Sequence, residues 1–150
     1  MEDFALKTKG DLDDLQQKVV EEAINAIETS YSPYSKFAVG AALLLDDESI
    51  ITGSNQENMA YPSGTCAERA ALFAFGSKGI SNKILKLAVF AKFHDSDSFA
   101  TGAPCGACRQ VMLEYELKQE NPFEVIFFHD NKYIISTSAK ALLPFHFHLH

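Results

Sequence analysis

The sequence predicts an α/β protein with three layers, in which a mixed sheet of five strands lies between helices. Helical and strand-like segments alternate along the chain in the order α-β-β-α-β-α-β-β. One helix separates the second and third strands and another separates the third and fourth. Such helices cross over one sheet. The length of 150 residues suits a single domain, residues 1–150.

The first element is an amphipathic helix at residues 11–30. The residues of its apolar face recur at every fourth position: Leu15, Val19, Ala23 and Ile27. This spacing places them on one side of a helix. Acidic residues occupy the first turn, where the helix dipole favours negative charge. Pro33 follows and predicts the end of the helix.

The later elements are shorter apolar segments and two more helices. Strands are predicted at residues 38–45, 50–54, 84–93, 123–128 and 132–136. A second helix is predicted from about Cys66 to Phe75. A third is predicted to open at Pro104, because a proline lacks only an N–H group that the first turn leaves unpaired. Residues 138–144 predict a short final helix or turn.

Composition and charge narrow the classes of partner. The chain carries 20 acidic and 13 basic residues, for a net charge of −7. A nucleic acid backbone needs clustered Lys and Arg, so a small molecule is the expected partner. The sequence has no apolar run of about 18 residues, which argues against a membrane span. The first ten residues lack the pattern of a signal peptide, which predicts a cytoplasmic protein.

The three cysteines, Cys66, Cys105 and Cys108, indicate a metal site. An odd number without an export signal is unsuited to a set of disulfides. Three protein ligands leave a tetrahedral zinc ion with one open position. Cys105 and Cys108 share a face at the start of one predicted helix, and Cys66 starts another. The alternative interpretation is three buried free thiols.

Three charged residues adjoin the cysteines. Three thiolates on Zn²⁺ carry a net charge of −1, so a cation is expected beside them. Arg69 and Arg109 are the candidates, and at least one is predicted to hydrogen-bond the thiolates and tune the zinc charge. Glu68 can exchange protons with a zinc-bound water as a general acid–base. The alternatives are surface salt bridges for the arginines and a solvated first-turn carboxylate for Glu68.

The segments "TCAERAAL" and "PCGACRQV" closely resemble the cytidine deaminase family of zinc hydrolases. The resemblance covers nearly the whole chain. It implies one zinc ion per subunit, held by Cys66, Cys105 and Cys108, with Glu68 as the catalytic proton shuttle. It also implies attack by an activated water at C4 of the pyrimidine, with Glu68 protonating N3 and then the departing amine.

The same resemblance implies the residues that bind the substrate. Phe37, in "FAVGAAL", would stack on the base, and Asn55 and Glu57, in "NQE", would bind the sugar hydroxyls. The backbone at Ala67 and Cys105 would hold the polar edge of the base. Without the resemblance, Phe37 would be interpreted as a core residue and Asn55 as a turn residue.

The resemblance implies a homotetramer, because family members of this length usually form one. A dimer is the alternative. Tyr61 and Phe147 match positions that reach active sites across subunit interfaces. The 12 phenylalanines, several of them near the C-terminus, are consistent with a tail buried against a partner. A tail packed on its own subunit is the competing interpretation.

The expected substrates are cytidine and 2′-deoxycytidine. Deaminases of polynucleotides generally have histidine as the first zinc ligand, whereas this sequence has Cys66. A cytosine-bearing antibiotic such as blasticidin S, or a modified nucleoside, is the alternative substrate. A structural zinc domain and a redox C-x-x-C protein are the alternatives outside the deaminases. A structural site needs a fourth protein ligand, and a redox role leaves Cys66 and Glu68 unexplained.

Overall fold

The computed structural model describes residues 2–149; Met1 and His150 lie outside the described residues. Within that range the α-helices are α1 (Asp14–Ala26), α2 (Ala67–Lys78) and α3 (Gly106–Gln119). The strands are β1 (Phe4–Lys7), β2 (Phe37–Leu45), β3 (Ile50–Ser54), β4 (Ile84–Phe93), β5 (Glu124–His129) and β6 (Lys132–Ser136). No helix in residues 2–149 is long and apolar enough to cross a bilayer.

The strands form one mixed sheet in the order β1-β6-β5-β4-β2-β3. β4 and β5 run parallel, and the other neighbouring pairs are antiparallel. The parallel pair is joined through α3, as a crossover connection requires. At the centre of the sheet, Leu43 of β2 lies opposite Ile51 of β3 and Leu87 of β4.

The prediction of five strands was wrong by one, because the described residues form six. The additional strand is β1, whose four residues pair antiparallel with β6. Three of the four are exposed, and a segment of four residues is too short for an apolar pattern to identify it as a strand in the sequence. Its conformation follows from the free edge of β6, which supplies the backbone partners. A strand of this kind is determined by its neighbour.

The helices cover both faces of the sheet, which confirms the three-layer α/β/α architecture. α1 packs on one face through Val19, Val20 and Ala23, against Ala42 and Leu44 of β2. The other face of β2, with Leu43 and Leu45, packs in the core that contains residues of α2 and α3. Alternate side chains of a strand point to opposite faces. Both faces of β2 are buried, so its sequence is a continuous apolar run.

The helix ends differ slightly from the predicted ones. Asp13 caps α1 by accepting a hydrogen bond from the backbone N–H of Gln16, and a 3₁₀ turn, Ile27–Thr29, closes the segment. The prediction that Pro104 opens α3 was wrong. It lies two residues before the helix, and Cys105 is the N-cap. Both cysteine motifs therefore lie at helix N-termini.

A glycine in β3 sets the distance between the sheet and α2. A Cβ atom at Gly53 would lie 2.5 Å from the backbone nitrogen of Ala71 and 2.6 Å from the carbonyl oxygen of Ala67. Real Cβ atoms do not approach backbone so closely, so only glycine allows this packing. The contact falls on the first turns of α2, next to Cys66 and Glu68.

We predict that Gly53→Ala destabilises the protein by about 1–3 kcal/mol, the usual range for overpacking in a well-packed core. Urea unfolding measures this difference. Gly10→Ala is the matched control, because a Cβ at Gly10 meets nothing within 4 Å. Equal stability of the two variants would contradict the role of Gly53 in spacing α2 from the sheet.

Candidate active site

The thiols of Cys66 and Cys108 meet where two helices begin. Cys66 is the N-cap of α2, and Cys108 lies in the first turn of α3. Their Sγ atoms are 2.7 Å apart, although the residues are 42 positions apart in the chain. The unpaired N–H groups and dipole at a helix N-terminus favour a thiolate over a thiol. The crossover topology thus places two potential metal ligands at one point.

The contact between the two thiols shifts their pKa values in opposite directions. The hydrogen bond from Cys108, opposed by burial and aided by the hydrogen bond from Arg69, lowers the pKa of Cys66 to about 5. The same hydrogen bond to Cys66 raises the pKa of Cys108. The thiolate form is therefore favoured at Cys66 over Cys108. Metal binding to such a pair releases the remaining proton.

The two arginines make different contacts. Arg69 donates from Nε to the Sγ of Cys66 at 3.0 Å, and this hydrogen bond raises the pKa of the guanidinium. Arg109 donates from Nε to the carbonyl oxygen of Pro104 at 2.7 Å and from Nη1 to that of Leu142 at 3.1 Å. Arg69 thus contacts a thiol, and Arg109 contacts backbone.

Glu68 is the buried carboxylate of the site. It lies in the first turn of α2, and only 6% of its surface is exposed. Burial, followed by the charge on Cys66, raises the pKa of Glu68 to about 7. One carboxylate oxygen and the sulfurs of Cys66 and Cys108 all lie within 4.8 Å of one another. Thiolates and a carboxylate are zinc ligands, so this group can hold a zinc ion.

Cys105 stands outside this close group. It is the exposed N-cap of α3, and it lines the same cavity as Cys66, Glu68 and Cys108. Its backbone position three residues before Cys108 places it on the same side of the first turn of α3. The structure therefore brings all three cysteines to one cavity but gathers only two of them tightly.

The cavity is a narrow space of about 250 Å³ with the thiols and Glu68 in its lining. Its other walls are largely apolar and include Val39, Val89, Phe90, Phe128 and the half-buried Phe37. The ring of Phe37 packs against Phe93 with centroids 4.9 Å apart. An apolar space with a few convergent polar groups is typical of a small-molecule site, and its size suits a flat ring.

Residues 100–103 form a wall of this cavity that the sequence analysis missed. They lie in the polar connection between β4 and α3. The backbone N–H of Ala100 donates to Ala91 of β4, and that of Gly102 donates to Phe128 of β5. The segment is thus tied to the sheet. Its only signal in the sequence is a short run of small residues, "ATGA", within a polar loop.

Asn55 mainly holds the backbone of β2. Its Oδ1 accepts from the N–H of Val39 and from the hydroxyl of Ser30, and its Nδ2 donates to the carbonyl of Phe37 at 2.8 Å. The residue is 9% exposed. One N–H of the amide is left for a ligand. Asn55 therefore fixes the strand that carries Phe37.

Glu57 and Tyr61 line a second, wider cavity of about 530 Å³, which shares Cys66 with the first. The carboxylate of Glu57 accepts from the backbone of Tyr34 and from the backbone and hydroxyl of Ser35. The hydroxyl bond to Ser35 is the main cause of the lowered pKa of Glu57. Asn55 also lines this cavity, so the predicted sugar-binding residues lie together.

Two residues that were predicted to bind substrate, Ala67 and Phe147, line neither cavity within the described residues. Ala67 is completely buried as the first residue of α2, and its side chain is outside the described lining of both cavities. Phe147 is 72% exposed. Its backbone exchanges hydrogen bonds with the side chain of Gln110 on α3. Within the described chain, Phe147 does not line either cavity.

Fold and site together define an α/β protein with a zinc-binding thiol and carboxylate cluster at the start of two crossover helices. A family model described as the cytidine and deoxycytidylate deaminase zinc-binding region matches residues 13–121. The chain belongs to this family. The match includes Cys66, Glu68 and the two cysteines of α3.

Named relatives agree with this assignment. The chain is 48% identical over 99 residues to the cytidine deaminase of Halalkalibacterium halodurans, covering 66% of this chain and 70% of the relative. The crystal structure of cytidine deaminase from Burkholderia pseudomallei superposes with a TM-score of 0.70 at 38% identity, covering 87% of this chain and 97% of that one. The structure of cytidine deaminase from Mycobacterium tuberculosis has a TM-score of 0.67 at 36% identity, covering 88% and 96%.

Proposed function

We propose that this protein is a zinc-dependent hydrolase that converts cytidine and 2′-deoxycytidine to uridine and 2′-deoxyuridine with release of ammonia. The observation that carries this proposal is the buried Glu68 beside Cys66 and Cys108, at the lining of a ring-sized cavity. A structural zinc site has no use for such a cavity or for a carboxylate with a raised pKa. The named relatives are cytidine deaminases, which supports the same substrates.

In this proposal Cys66, Cys105 and Cys108 hold the zinc ion, and Glu68 stays free for proton transfer. Bound zinc supplies Lewis acidity and lowers the pKa of a coordinated water. The thiols suit this ion because both contributing helix N-termini favour thiolates. Cys105 lines the same cavity as the other two thiols, which supports its place as the third ligand.

Glu68 carries the protons of the reaction. Its carboxyl pKa of about 7 lets it exchange a proton in either direction near neutral pH. It takes a proton from the attacking water and passes it to N3 of the pyrimidine, and then takes the second proton from the new hydroxyl on C4 and passes it to the departing amine. Its 6% exposure limits exchange with bulk water, so both protons pass between the attacking water, Glu68 and the substrate.

The two cavities divide the nucleoside between them. The base lies in the narrow cavity against Phe37, with its polar edge on the backbone of Ala67 and Cys105. The sugar lies in the wider cavity, where Glu57 accepts from its hydroxyls and Asn55 donates its remaining N–H. Glu57 and the thiol-bound Arg69 are the charged residues in the lining of that cavity. A neutral sugar suits this lining better than a phosphorylated one.

We also propose a homotetramer that acts in the cytoplasm as a single-domain protein. Near the C-terminus, three large apolar side chains are exposed in one chain by 93%, 72% and 83%: Phe145, Phe147 and Leu149. Tyr61 is 77% exposed at the rim of the wider cavity. Exposed apolar groups of this size are typical of a surface that a partner covers. Tyr61 and Phe147 then complete active sites across subunit interfaces.

The reaction is tested by following ultraviolet absorbance of the zinc-loaded protein with cytidine, deoxycytidine and blasticidin S in parallel. We predict turnover of both nucleosides in wild type and a loss of about 10²–10⁴ in kcat for Glu68→Gln, with zinc retained. Glu114→Gln, an exposed site on α3, is the control and keeps wild-type turnover. Turnover of blasticidin S alone would contradict the proposed substrates. Full activity of Glu68→Gln would contradict the role of Glu68.

The zinc-tuning role belongs to Arg69. We predict that Arg69→Gln lowers kcat about tenfold, the lower end for loss of a hydrogen bond between charged groups, because Arg69 is partly exposed. Arg69→Lys keeps the charge and is expected to keep more of the activity. Steady-state kinetics and metal analysis of both variants measure this. Unchanged kcat and zinc content in Arg69→Gln would show that the arginine is dispensable.

The assembly is tested by sedimentation of wild type and Phe147→Ala. We predict a tetramer for wild type. For the variant we predict a raised KM or a dissociated assembly, since Phe147 does not line either cavity within the described residues of its own chain. Leu6→Ala is a suitable control, because Leu6 is 68% exposed on the edge strand β1. A monomeric, fully active wild type would contradict the proposal.

A further inference from the structure

The last structured turn of the chain, Lys140–Leu142, is held at its start by a buried carboxylate of α3. We call this 3₁₀ segment the C-terminal turn. The Oε2 atom of Glu116 accepts from the backbone N–H of Ala139 at 2.7 Å, and its Oε1 accepts from that of Lys140 at 3.1 Å. Oε2 also accepts from Phe123, just before β5. Glu116 is 7% exposed, so these backbone groups replace the water that it lacks.

Arg109 holds the other end of the same turn. Its Nη1 donates to the carbonyl of Leu142 at 3.1 Å. Arg109 and Glu116 are seven residues apart on α3, which is close to two helical turns, so their side chains leave the same face of the helix. One helix face thus secures the C-terminal turn from both sides, with a carboxylate on its N–H groups and a guanidinium on its last carbonyl.

The guanidinium of Arg109 also reaches the entrance of α3. Its Nε donates to the carbonyl of Pro104 at 2.7 Å. Pro104 is buried and immediately precedes Cys105, while Arg109 immediately follows Cys108. Arg109 therefore joins the backbone before the first cysteine of the "PCGAC" motif to the carbonyl of Leu142, which lies 33 residues after Arg109.

We propose that Arg109 is a positioning residue that fixes the backbone at Pro104 and Cys105 for metal binding, and that Glu116 anchors the turn from which Arg109 acts. This inference rests on the proposed role of Cys105 as a zinc ligand. Because Cys105 is exposed and lies outside the close group of Cys66, Glu68 and Cys108, its backbone needs an external support. The two carbonyls bound by Arg109 provide that support.

The contacts distinguish this role from tuning of the zinc charge. Arg69, which donates to the thiol, acts through charge. Arg109 donates two N–H groups to two backbone carbonyls in different segments. The planar fork of a guanidinium spans two such acceptors, and a lysine ammonium lacks that fixed geometry. Arg109→Lys therefore separates the two roles, since it keeps the charge and loses the fork.

The experiment compares Arg109→Lys, Arg109→Gln and Glu116→Gln with wild type. Lys140→Ala is the matched control, because its exposed side chain lies on the same turn while its backbone N–H to Glu116 remains. Each zinc-loaded protein is mixed with a chelator, and zinc release is followed with a metal-sensitive dye. The visible spectrum of each cobalt-substituted protein reports the thiolate ligand set independently of activity.

We expect both Arg109 variants to release zinc about tenfold faster than wild type, the smaller effect usual for residues that orient metal ligands. Their cobalt thiolate bands are expected to weaken. Glu116→Gln is expected to shift in the same direction by several-fold, and Lys140→Ala to match wild type. The kcat for cytidine is expected to fall, and KM is expected to rise, because the backbone at Cys105 also holds the base.

Wild-type zinc release and cobalt spectrum in Arg109→Lys would overturn the inference, because they would show that charge alone suffices. Circular dichroism and thermal unfolding of each variant identify loss of the whole fold. If Arg109→Gln unfolds, the zinc release and cobalt spectrum of Arg109→Lys, compared with those of Lys140→Ala, test the positioning role. Failure of the wild-type protein to bind zinc would overturn the proposed function itself. Zinc binding by wild type with no difference among the variants would overturn only the positioning role.

Discussion

The rest of the site depends on the contact between the Cys66 and Cys108 thiols, where the first turns of α2 and α3 meet. That contact requires both crossover helices to lie on one face of the sheet and to begin at the same edge. The packing of α2 on β3 at Gly53 fixes the position of α2. The segment from β4 through residues 100–103, which is hydrogen-bonded to the sheet, fixes where α3 begins. With the thiols together, Arg69 donates to the Sγ of Cys66 and Glu68 lies buried beside them.

The two arginines that adjoin the cysteine motifs show how alike positions acquire different contacts. Arg69 lies one turn after Cys66 and turns its guanidinium back to the thiol at the start of its own helix. Arg109 directly follows Cys108, so it leaves α3 on another face and meets the carbonyls of Pro104 and Leu142. The sequence predicted that at least one arginine contacts the thiolates, but spacing alone did not distinguish the two.

Sequence reasoning located most of the strands because a strand buried on both faces needs an unbroken apolar run. β3, β4 and β6 begin and end at the predicted residues, and β2 differs by one. β1 was missed because its residues are exposed and its conformation comes from pairing with β6. The wall at residues 100–103 was missed for a similar reason. Its backbone hydrogen bonds to β4 and β5 are long-range and leave no periodic pattern.

The sequence by itself determined the layered α/β fold, the zinc-binding family, and the three cysteines, Glu68 and Phe37 that line the narrow cavity. These follow from local periodicity and from short motifs whose residue types already carry the chemistry. Tertiary structure alone decided which thiol has the lowered pKa, which arginine contacts it, and why the pKa of Glu68 is raised. It also decided that the Asn55 amide is hydrogen-bonded mainly to the backbone of β2. Each depends on burial or on partners far apart in the chain, and those arise only when the helices pack on the sheet.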